Sequence, residues 1–297
     1  VMVTEPVTMP STKLRQTAYG IFAGVLVVPQ LHFGTFYLSP ELALVVANAI
    51  FIPLRSITRQ TLFLDQALAL GPGLMDFIYT PTRRLAYAPG QYMEWTVAHN
   101  HIDNRGTRRY FTLASSPTEP NVRIGVKFSP SGSSYKEAML ANTMPGNQIV
   151  ASQVTGDFTL PKNRRQKLVF IAGGIGVTPY RSMVKYLLDR GESRDIILIY
   201  ANRTPREFVY GDVFMAAQRA FRLRPILVAS DASSVPMGWP GIIGHIDTRL
   251  IQQQVPDYAE RLFYISGSPA MIRRVTESLR ELHIKPDKIK TDHFSGL

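Results

Sequence analysis

Hydrophobic and polar positions divide the chain into three stretches with different patterns. Residues 1–58 are dominated by apolar side chains. Residues 59–161 carry short apolar runs separated by Gly, Pro and Asn turns, which is typical of small antiparallel barrels and sandwiches. Across residues 162–297, apolar runs alternate with helical patterns, as in βαβ units on a parallel sheet. The pattern therefore predicts an N-terminal helical hairpin, then an antiparallel β-barrel domain, then an α/β domain with a parallel sheet.

The N-terminal stretch is apolar enough to be interpreted as a membrane hairpin. Residues 17–39 and 43–53 contain no Asp, Glu, Lys or Arg. At about 1.5 Å per helical residue, the first run is long enough to cross a hydrocarbon core of roughly 30 Å, whereas the second is short. The positive-inside rule places both ends of the pair in the cytoplasm, because basic residues flank its outer sides: Lys13, Arg15, Arg55 and Arg59. The alternative is two buried helices of a soluble domain, interrupted by Pro29 and Pro53.

Two segments of the second stretch are suited to a flat ligand that carries phosphate. The first is a strand pattern in which Arg109 and Phe111 share one face and Tyr110 and Thr112 share the other. Arg can grip a pyrophosphate, an aromatic ring can stack on a heterocycle, and a hydroxyl can bond a ring nitrogen. The second segment, residues 131–134, precedes a helical pattern, and a helix N-terminus with hydroxyls binds anions. An ordinary barrel strand and a simple helix cap are the alternatives.

Two loops of the third stretch lie where a parallel sheet binds nucleotides. Residues 173–179 (GGIGVTP) directly follow the strand pattern at 168–172 and directly precede a helix. Glycines there let the backbone approach a phosphate, and the helix N-terminus attracts negative charge. Pro179 suits the first helical turn, because its missing N–H has no partner to lose. Residues 266–271 (SGSPAM) follow the strand pattern at 261–265 and also open a helix.

Composition narrows the chemistry that the chain can perform. Its 297 residues suggest two domains, and 33 Lys plus Arg against 22 Asp plus Glu give a net charge of +11. The absence of Cys excludes disulfide scaffolds, Cys-ligated zinc, Cys-ligated iron–sulfur clusters and thiol nucleophiles. The six His show no ligand spacing, so no metal site is predicted. The positive charge suits dinucleotide phosphates, an anionic membrane face or nucleic acid.

The motifs from residue 61 to residue 297 resemble the ferredoxin–NADP reductase superfamily in type and in order. They are PGQY at 89–92, RYFTLASSP at 109–117, the cap at 132–134, GDF at 156–158 and the two loops of the third stretch. The resemblance implies an FAD-binding β-barrel over residues 59–161 and an NAD(P)-binding α/β domain over 162–297. It also implies FAD and NADH or NADPH as cofactors.

The resemblance carries individual roles over to this sequence. Arg109 would hold the FAD pyrophosphate, Thr112 would face flavin N5, and Ser133 and Ser134 would cap the phosphates. Phe111 stands where the family usually has a stacking Tyr. Thr112 and Ser266 are the predicted catalytic residues, Ser266 replacing the family's Cys beside the nicotinamide. The predicted cofactor-binding residues are Arg109, Tyr110, Phe111, Thr112, Lys127, Gly132, Ser133, Ser134, Gly173, Gly174, Gly176, Thr178, Pro179, Asp231, Gly267, Pro269 and Phe294.

The choice between NADH and NADPH depends on the residues that meet the adenosine ribose. Asp231 follows the apolar run at 223–230, where NADPH-using relatives tend to carry an Arg. A carboxylate on the ribose hydroxyls favours NADH. Arg203 and Arg206 follow the run at 196–200 and could reach a 2′-phosphate, so NADPH stays open.

The N-terminal stretch carries a second resemblance. Residues 1–55, with TEPVT at 4–8 and PELA at 40–43, resemble the end of the membrane flavin subunit of sodium-pumping NADH:quinone reductases and their Rnf relatives. That family's covalent-flavin threonine motif is not present, so no covalent FMN is assigned. The chain starts at Val1 without an initiator Met, which we interpret as the tail of a longer membrane protein.

These observations predict a flavin-dependent NAD(P)H oxidoreductase that takes electrons from NADH through FAD. The acceptor would be a quinone, another flavin or a redox protein. The location would be the inner (cytoplasmic) membrane, with the reductase domains on the cytoplasmic side. One alternative is a soluble ferredoxin- or flavodoxin-type NADP reductase whose N-terminus docks a partner. A nucleic-acid-binding protein is a remote alternative, because no basic stripe with interleaved aromatics occurs.

Overall fold

Two short helices begin the part of the chain that the computed structural model describes, which comprises residues 13–28, 32–33, 36–37, 39–51, 59–128 and 133–293. The helices α1 (Lys13–Val27) and α2 (Pro40–Phe51) pack together, and the strands β1 (His32–Phe33) and β2 (Phe36–Tyr37) pair between them. Within these described ranges, none of the helices combines the length and the apolar character that a bilayer crossing needs.

The predicted helical pair forms, but its first helix is shorter than the apolar run that predicted it. α1 ends at Val27, just before Pro29, and a strand pair follows. Proline lacks an N–H and disfavours helical geometry in the preceding residue, which explains the early end. The Tyr19 ring meets the Phe51 ring edge-on at 5.4 Å, and its hydroxyl donates to Asn48 at 3.2 Å.

An antiparallel six-stranded sheet with the order β6-β5-β8-β3-β4-β7 forms the second unit. Its strands are β3 (Gln60–Gly71), β4 (Leu74–Pro81), β5 (Tyr92–Thr96), β6 (Arg108–Thr112), β7 (Val122–Lys127) and β8 (Gln148–Thr155). The Ala114 N–H donates to the Arg123 carbonyl at 2.7 Å, which brings the two edges of the sheet together beyond the end of β6. Fully buried Trp95 and Phe77 lie in its core, and α3 (Ser134–Ala141) packs on that core through Tyr135. The antiparallel character predicted for this region is confirmed.

A parallel six-stranded sheet with the order β12-β11-β10-β9-β13-β14 forms the third unit. Its strands are β9 (Leu168–Gly173), β10 (Ile196–Asn202), β11 (Leu223–Ala229), β12 (Ile242–Ile243), β13 (Leu262–Gly267) and β14 (Ile289–His293). The helices are α4 (Thr178–Asp189), α5 (Gly211–Ala220), α6 (Thr248–Gln254) and α7 (Pro269–Glu281). Side chains alternate along β9, so Phe170 packs with α4 and α5 while Ile171 packs with α6 and α7. Because both faces are covered, the strands are continuously apolar, as predicted.

One apolar cluster joins the two sheets. Phe158, from the segment between β8 and β9, lies 5.1 Å from the Tyr264 ring and 5.9 Å from the Tyr180 ring. The same buried cluster contains Leu74 and Ala114 from the antiparallel unit. The two units therefore share buried surface and hold a cleft between them.

Candidate functional site

A cleft of about 580 Å³ lies between the two sheets. One wall is formed by β6 and the end of β7, and it includes the buried Thr112 and the exposed Lys127. The other wall is formed by the carboxyl ends of the parallel strands, where open α/β sheets bind their ligands. Four of the predicted glycines lie on that second wall: Gly173, Gly174, Gly176 and Gly267.

The loop after β9 has the tight geometry that its glycines predict. Gly174 has a φ of +57°, a conformation that other residues rarely adopt. A Cβ on Gly176 would lie 2.5 Å from the Ser266 carbonyl oxygen, and one on Gly173 would collide with Met271. Thr178 lines the cleft as helix α4 begins, whereas Pro179 is buried in the first turn behind it. The cleft is therefore lined by the glycine loop and by the start of α4.

The loop after β13 lies against the first loop. Gly267 lines the cleft, and Pro269 occupies the first turn of α7. Ser266 is fully buried, and its hydroxyl has no hydrogen-bond partner within the described residues. It does not line the cleft, so its predicted catalytic role stays a prediction. Ser268 and Met271 do line it, and the Met271 N–H donates to Ser268 Oγ at 3.3 Å.

On the opposite wall, Tyr110, Phe111 and Thr112 all line the cleft, although strand alternation placed Phe111 on the other face from Tyr110 and Thr112. The Tyr110 hydroxyl donates to Glu94 Oε2 at 2.9 Å. Burial, together with that carboxylate, raises the pKa of Tyr110, so the phenol stays protonated near neutral pH. Thr112 is buried.

Arg109 points away from the cleft into its own loop. Its guanidinium donates to the carbonyls of Arg105 at 2.7 Å, Gly106 at 3.0 Å and Arg108 at 2.7 Å. It also lies 5.0 Å from the centre of the Tyr135 ring. To bind the FAD pyrophosphate as predicted, the Arg109 guanidinium would have to release these loop carbonyls and donate to phosphate oxygens instead.

The predicted phosphate cap lies close to Arg109. Ser133 is the N-cap of α3 and accepts from the Lys136 N–H. Ser134 Oγ accepts from the Asp103 N–H at 3.1 Å, and the Asp103 carboxylate is 3.3 Å from Arg109. Asp103 thus links the cap and the arginine into one cluster. The predicted residues Gly132 and Phe294 lie outside the described residues.

Asp292 is a buried carboxyl group beside Thr112 that the motif analysis did not assign. Burial, reinforced by the Asp157 carboxylate, raises its pKa to about 7, although a hydrogen bond with Thr112 acts in the opposite direction. One of its oxygens, Oδ2, has no hydrogen-bond partner within the described residues. A buried carboxyl group that changes charge near neutral pH therefore adjoins the predicted flavin face.

Asp231 is engaged by its own turn. Its carboxylate accepts from the Ser233 N–H at 3.1 Å and the Ser233 hydroxyl at 2.6 Å, and Arg203 Nε is 3.6 Å away. The pKa of Asp231 lies below its ordinary value, chiefly because the Ser233 hydroxyl donates a hydrogen bond to the carboxylate. The Ser233 N–H and the charge of Arg203 act in the same direction. Ser230 and Arg203 line the cleft, whereas Asp231 does not. The predicted NADH determinant is therefore next in sequence to a lining residue and is paired with the arginine that favours NADPH.

Several residues of the cleft carry polar chemistry that the motifs did not indicate. Asn202, at the end of β10, is only 6% exposed, and neither its amide N nor its amide O makes a hydrogen bond of good geometry among the described residues. It lies beside Gly174. The others are Lys136, Glu207, His245 and Arg274. The sequence could have indicated Asn202 as a cleft residue, because it ends the apolar run of a buried strand, as the glycine loop does after β9.

Comparison with known proteins begins with the parallel-sheet unit. Residues 170–277 match the family model described as "Oxidoreductase NAD-binding domain". The chain is 28% identical over 198 residues to a glycine betaine monooxygenase reductase subunit from Chromohalobacter salexigens, covering 65% of this chain and 52% of that protein. It is 28% identical over 233 residues to the phenol hydroxylase P5 protein of Acinetobacter pittii, covering 76% and 62%. The chain spans about half the length of the first curated relatives it matches.

Solved structures share the fold. The Amycolatopsis cytochrome P450 reductase GcoB superposes with a TM-score of 0.70 at 21% identity, covering 80% of this chain and 70% of that one. A ferredoxin NADP+ reductase from Neisseria gonorrhoeae with bound FAD and NADP gives 0.64 at 18% identity, covering 79% and 98%. Identities this low establish the architecture alone. The matched domain agrees with the prediction of an oxidoreductase that binds a nicotinamide nucleotide. Together, residues 170–277 match an oxidoreductase NAD-binding domain, and the chain shares its fold with reductases of the kind found in the solved structures.

Proposed function

We propose that the chain is an FAD-dependent NAD(P)H oxidoreductase that passes electrons from NADH to a redox protein. The observation that carries the proposal is the single cleft, in which Thr112 on one sheet faces the Gly173–Gly176 loop on the other. Hydride transfer needs donor and acceptor atoms within about 3–3.5 Å of each other. A cleft built jointly by both units is the arrangement that this chemistry requires.

The residues present fit a dinucleotide on the parallel-sheet wall. The loop after β9 is rich in glycine, lines the cleft and leads directly into α4, which is the arrangement that binds phosphate through backbone N–H groups and a helix N-terminus. Asn202 offers an amide that makes no hydrogen bond of good geometry among the described residues, directly beside that loop. Buried polar atoms without partners are costly unless a ligand satisfies them. The glycine loop would hold the pyrophosphate, and Asn202 would bond an adjacent polar group.

The residues on the antiparallel wall fit FAD. Tyr110 and Phe111 supply apolar ring surface, Thr112 supplies a hydroxyl at the base of the cleft, and the cluster of Arg109, Ser133 and Ser134 supplies donors for phosphate. When bound, FAD accepts a hydride and releases electrons singly. The protein's part is to orient the rings, to exclude water from the buried base of the cleft and to hold Thr112 at the reacting face.

For the acceptor, we favour a separate redox protein over a quinone or a membrane flavin. Curated relatives are named as reductase subunits or components of monooxygenases and a hydroxylase. The 297 residues contain no Cys, so a Cys-ligated cluster that receives the electrons must lie outside them. NADH is the proposed donor because the Asp231 carboxylate pairs with the cleft-lining Arg203, although that arginine leaves NADPH as the second candidate.

We further propose that the helical pair associates with the cytoplasmic face of the inner membrane. Large apolar side chains on α1 and α2 face outward, among them Ile21, which is 64% exposed, and Val45, which is 60% exposed. Such surface on adjacent helices favours lipid contact. The test is co-sedimentation with anionic phospholipid vesicles. Ile21→Ser with Val45→Ser should release the protein, whereas Met237→Ser, which changes a fully exposed apolar residue elsewhere, should not. Equal binding by both variants would remove the proposal.

The reductase function is tested by the absorbance spectrum of purified protein before and after anaerobic NADH. We expect an oxidised-flavin band that bleaches with NADH. Thr112→Val should slow the bleaching about tenfold, the size expected for one lost hydrogen bond at the reacting face. Thr96→Val, on the neighbouring strand outside the cleft, should leave the rate unchanged. Reconstituted protein with no flavin band would contradict the proposed function, and bleaching only with NADPH would reverse the proposed donor.

A further inference from the structure

A buried ionic clamp joins the two units directly behind the cleft. Arg181, in α4, is 2% exposed. Its Nη1 donates to Glu119 Oε2 at 2.6 Å and its Nη2 donates to Glu119 Oε1 at 2.9 Å, so the guanidinium grips both carboxylate oxygens. Nη1 also donates to the Ala114 carbonyl at 2.8 Å. The neighbouring Ser182 hydroxyl donates to the Ser115 carbonyl at 2.5 Å.

The two segments joined by this clamp are continuations of the two walls of the cleft. Residues 114–119 follow β6, and Ala114 is only two residues beyond Thr112. Arg181 lies in the first turn of α4, directly after the glycine loop. A shift of α4 against residues 114–119 would therefore change the separation between Thr112 and the Gly173–Gly176 loop.

A second buried contact supports the clamp. The Arg181 guanidinium lies 5.6 Å from the centre of the Tyr210 ring, and the Tyr210 hydroxyl donates to Asp76 Oδ1 at 3.2 Å. Asp76 is fully buried in β4 and receives Arg123 Nε at 3.0 Å. Helices α4 and α5 are thus both tied to the antiparallel sheet by charged groups.

An apolar contact could join the two units without removing charges from water. Buried ion pairs often contribute little net stability, because the cost of desolvation offsets much of the attraction. Their advantage is direction, since a planar guanidinium gripping a carboxylate at two points fixes both distance and orientation. Lys cannot reproduce this geometry, because its ammonium is a single point charge.

We propose that Arg181 is a positioning residue for hydride transfer, which through Glu119 and Ala114 sets the spacing between the flavin wall and the nucleotide loop. The inference rests on the proposed function, because that function requires a flavin and a nicotinamide nucleotide held at a fixed spacing. Arg181 touches neither ligand wall directly and acts through the backbone of residues 114–119 and the start of α4. A small change in that spacing lowers the rate of transfer more than it lowers the affinity for either ligand.

The test compares Arg181→Lys with the matched control Arg261→Lys. Arg261 is equally buried and carboxylate-paired, but its partners Asp257 and Asp195 lie wholly within the parallel-sheet unit. Arg181→Lys should keep flavin content and ADP-ribose affinity within about twofold of the wild type. It should lower the limiting rate of anaerobic flavin reduction at saturating NADH by about tenfold or more. Arg261→Lys should leave that rate unchanged.

A second readout does not depend on activity. In flavin-free protein, hydrogen–deuterium exchange of residues 114–119 and 173–180 should be faster in Arg181→Lys than in the wild type, and unchanged there in Arg261→Lys. Glu119→Gln, which keeps the side chain's shape, provides the same test if Arg181→Lys does not fold. The inference is overturned if the folded variants reduce flavin at the wild-type limiting rate, or if their rate loss only follows loss of bound flavin. A wild-type protein that binds flavin but is not reduced by either nicotinamide would instead overturn the proposed function, and the exchange measurement would still decide whether the clamp exists.

Discussion

Lys127 and Glu207 face each other across the cleft, with the Lys127 ammonium nitrogen 2.7 Å from Glu207 Oε2. Lys127 ends β7 on the flavin wall, whereas Glu207 lies in the turn after β10 on the nucleotide wall. Both line the cleft. The lysine predicted to bind a cofactor is therefore already paired with a carboxylate of the other unit, and that carboxylate also lines the cleft.

Glu207→Gln should lower the KM for NADH at low ionic strength. Removing the carboxylate reduces repulsion of the pyrophosphate and leaves the Lys127 ammonium available to it. Because the pair is partly exposed, screening limits the effect to roughly threefold, and it should fade at high salt. Steady-state KM at low and high ionic strength measures this. The control is Glu192→Gln, which changes a carboxylate that is paired with Arg194 and does not line the cleft. An unchanged or higher KM at low salt would contradict this assignment of Glu207.

Asp292→Asn should be more stable than the wild type, and this gain in the free energy of unfolding should be larger at pH 8 than at pH 5. Burial is the main cause that raises the pKa of Asp292 from 3.8 to about 7, so the folded state binds a proton that the unfolded state has released. The contribution of Asp292 to the stability of the wild type therefore falls as the pH rises from the unfolded-state pKa of 3.8 to the folded-state pKa of about 7. Above about pH 7 this contribution stays constant. The full shift corresponds to roughly 4 kcal/mol as an upper limit.

Urea unfolding of the wild type and Asp292→Asn at both pH values measures this difference. Asp287→Asn, which changes an exposed carboxyl just before β14, provides the control. The advantage of Asp292→Asn should be large at pH 8 and small at pH 5. An advantage of equal size at both values would mean that the Asp292 carboxyl does not titrate in this window.

Residues whose function depends on their immediate neighbours in sequence were predictable. The glycine loop at 173–176 is recognisable because a buried strand precedes it and a helix follows it, and the structure has that order. The Ser133 cap was indicated in the same way by the helical pattern after it. Alternation predicted that Tyr110 and Thr112 share a strand face and that Phe111 lies on the other, whereas all three line the cleft, so alternation alone did not predict which residues of β6 reach it.

Residues whose function depends on distant neighbours were not predictable. Asn202 and Glu207 reach the cleft because β10 pairs beside β9, an order set by helical crossovers rather than by local sequence. Arg181 and Glu119 are 62 positions apart, and neither lies in a position that its own segment marks as special. Arg109 was recognised by type, but its contacts with loop carbonyls depend on the path of residues 103–108.

Asp231→Arg should raise the ratio of kcat/KM for NADPH over kcat/KM for NADH. The substitution removes a carboxylate that pairs with Arg203 and places a second guanidinium beside it, which suits a 2′-phosphate. We expect a change of about tenfold, comparable to one charge-assisted hydrogen bond. The control is Asp231→Asn, which removes the negative charge but keeps an acceptor for the Ser233 N–H. It shows how much of the change comes from loss of the carboxylate and how much from the new guanidinium. An unchanged ratio in Asp231→Arg would exclude Asp231 as a determinant of cofactor choice.

Asn202→Ala should weaken the use of NADH far more than the use of the reduced mononucleotide NMNH. The Asn202 amide lies between the glycine loop and the β11 turn that bears Asp231, so it would contact the pyrophosphate or the adenosine ribose, and NMNH lacks the adenosine half. Removing one contact to a charged group should lower kcat/KM for NADH about tenfold and leave that for NMNH within about twofold. ADP-ribose affinity, measured by calorimetry, should fall in parallel. Asn142→Ala, an exposed amide that caps α3, is the control. Equal losses with NADH and NMNH would mean that Asn202 supports the loop itself rather than the adenosine half of the ligand.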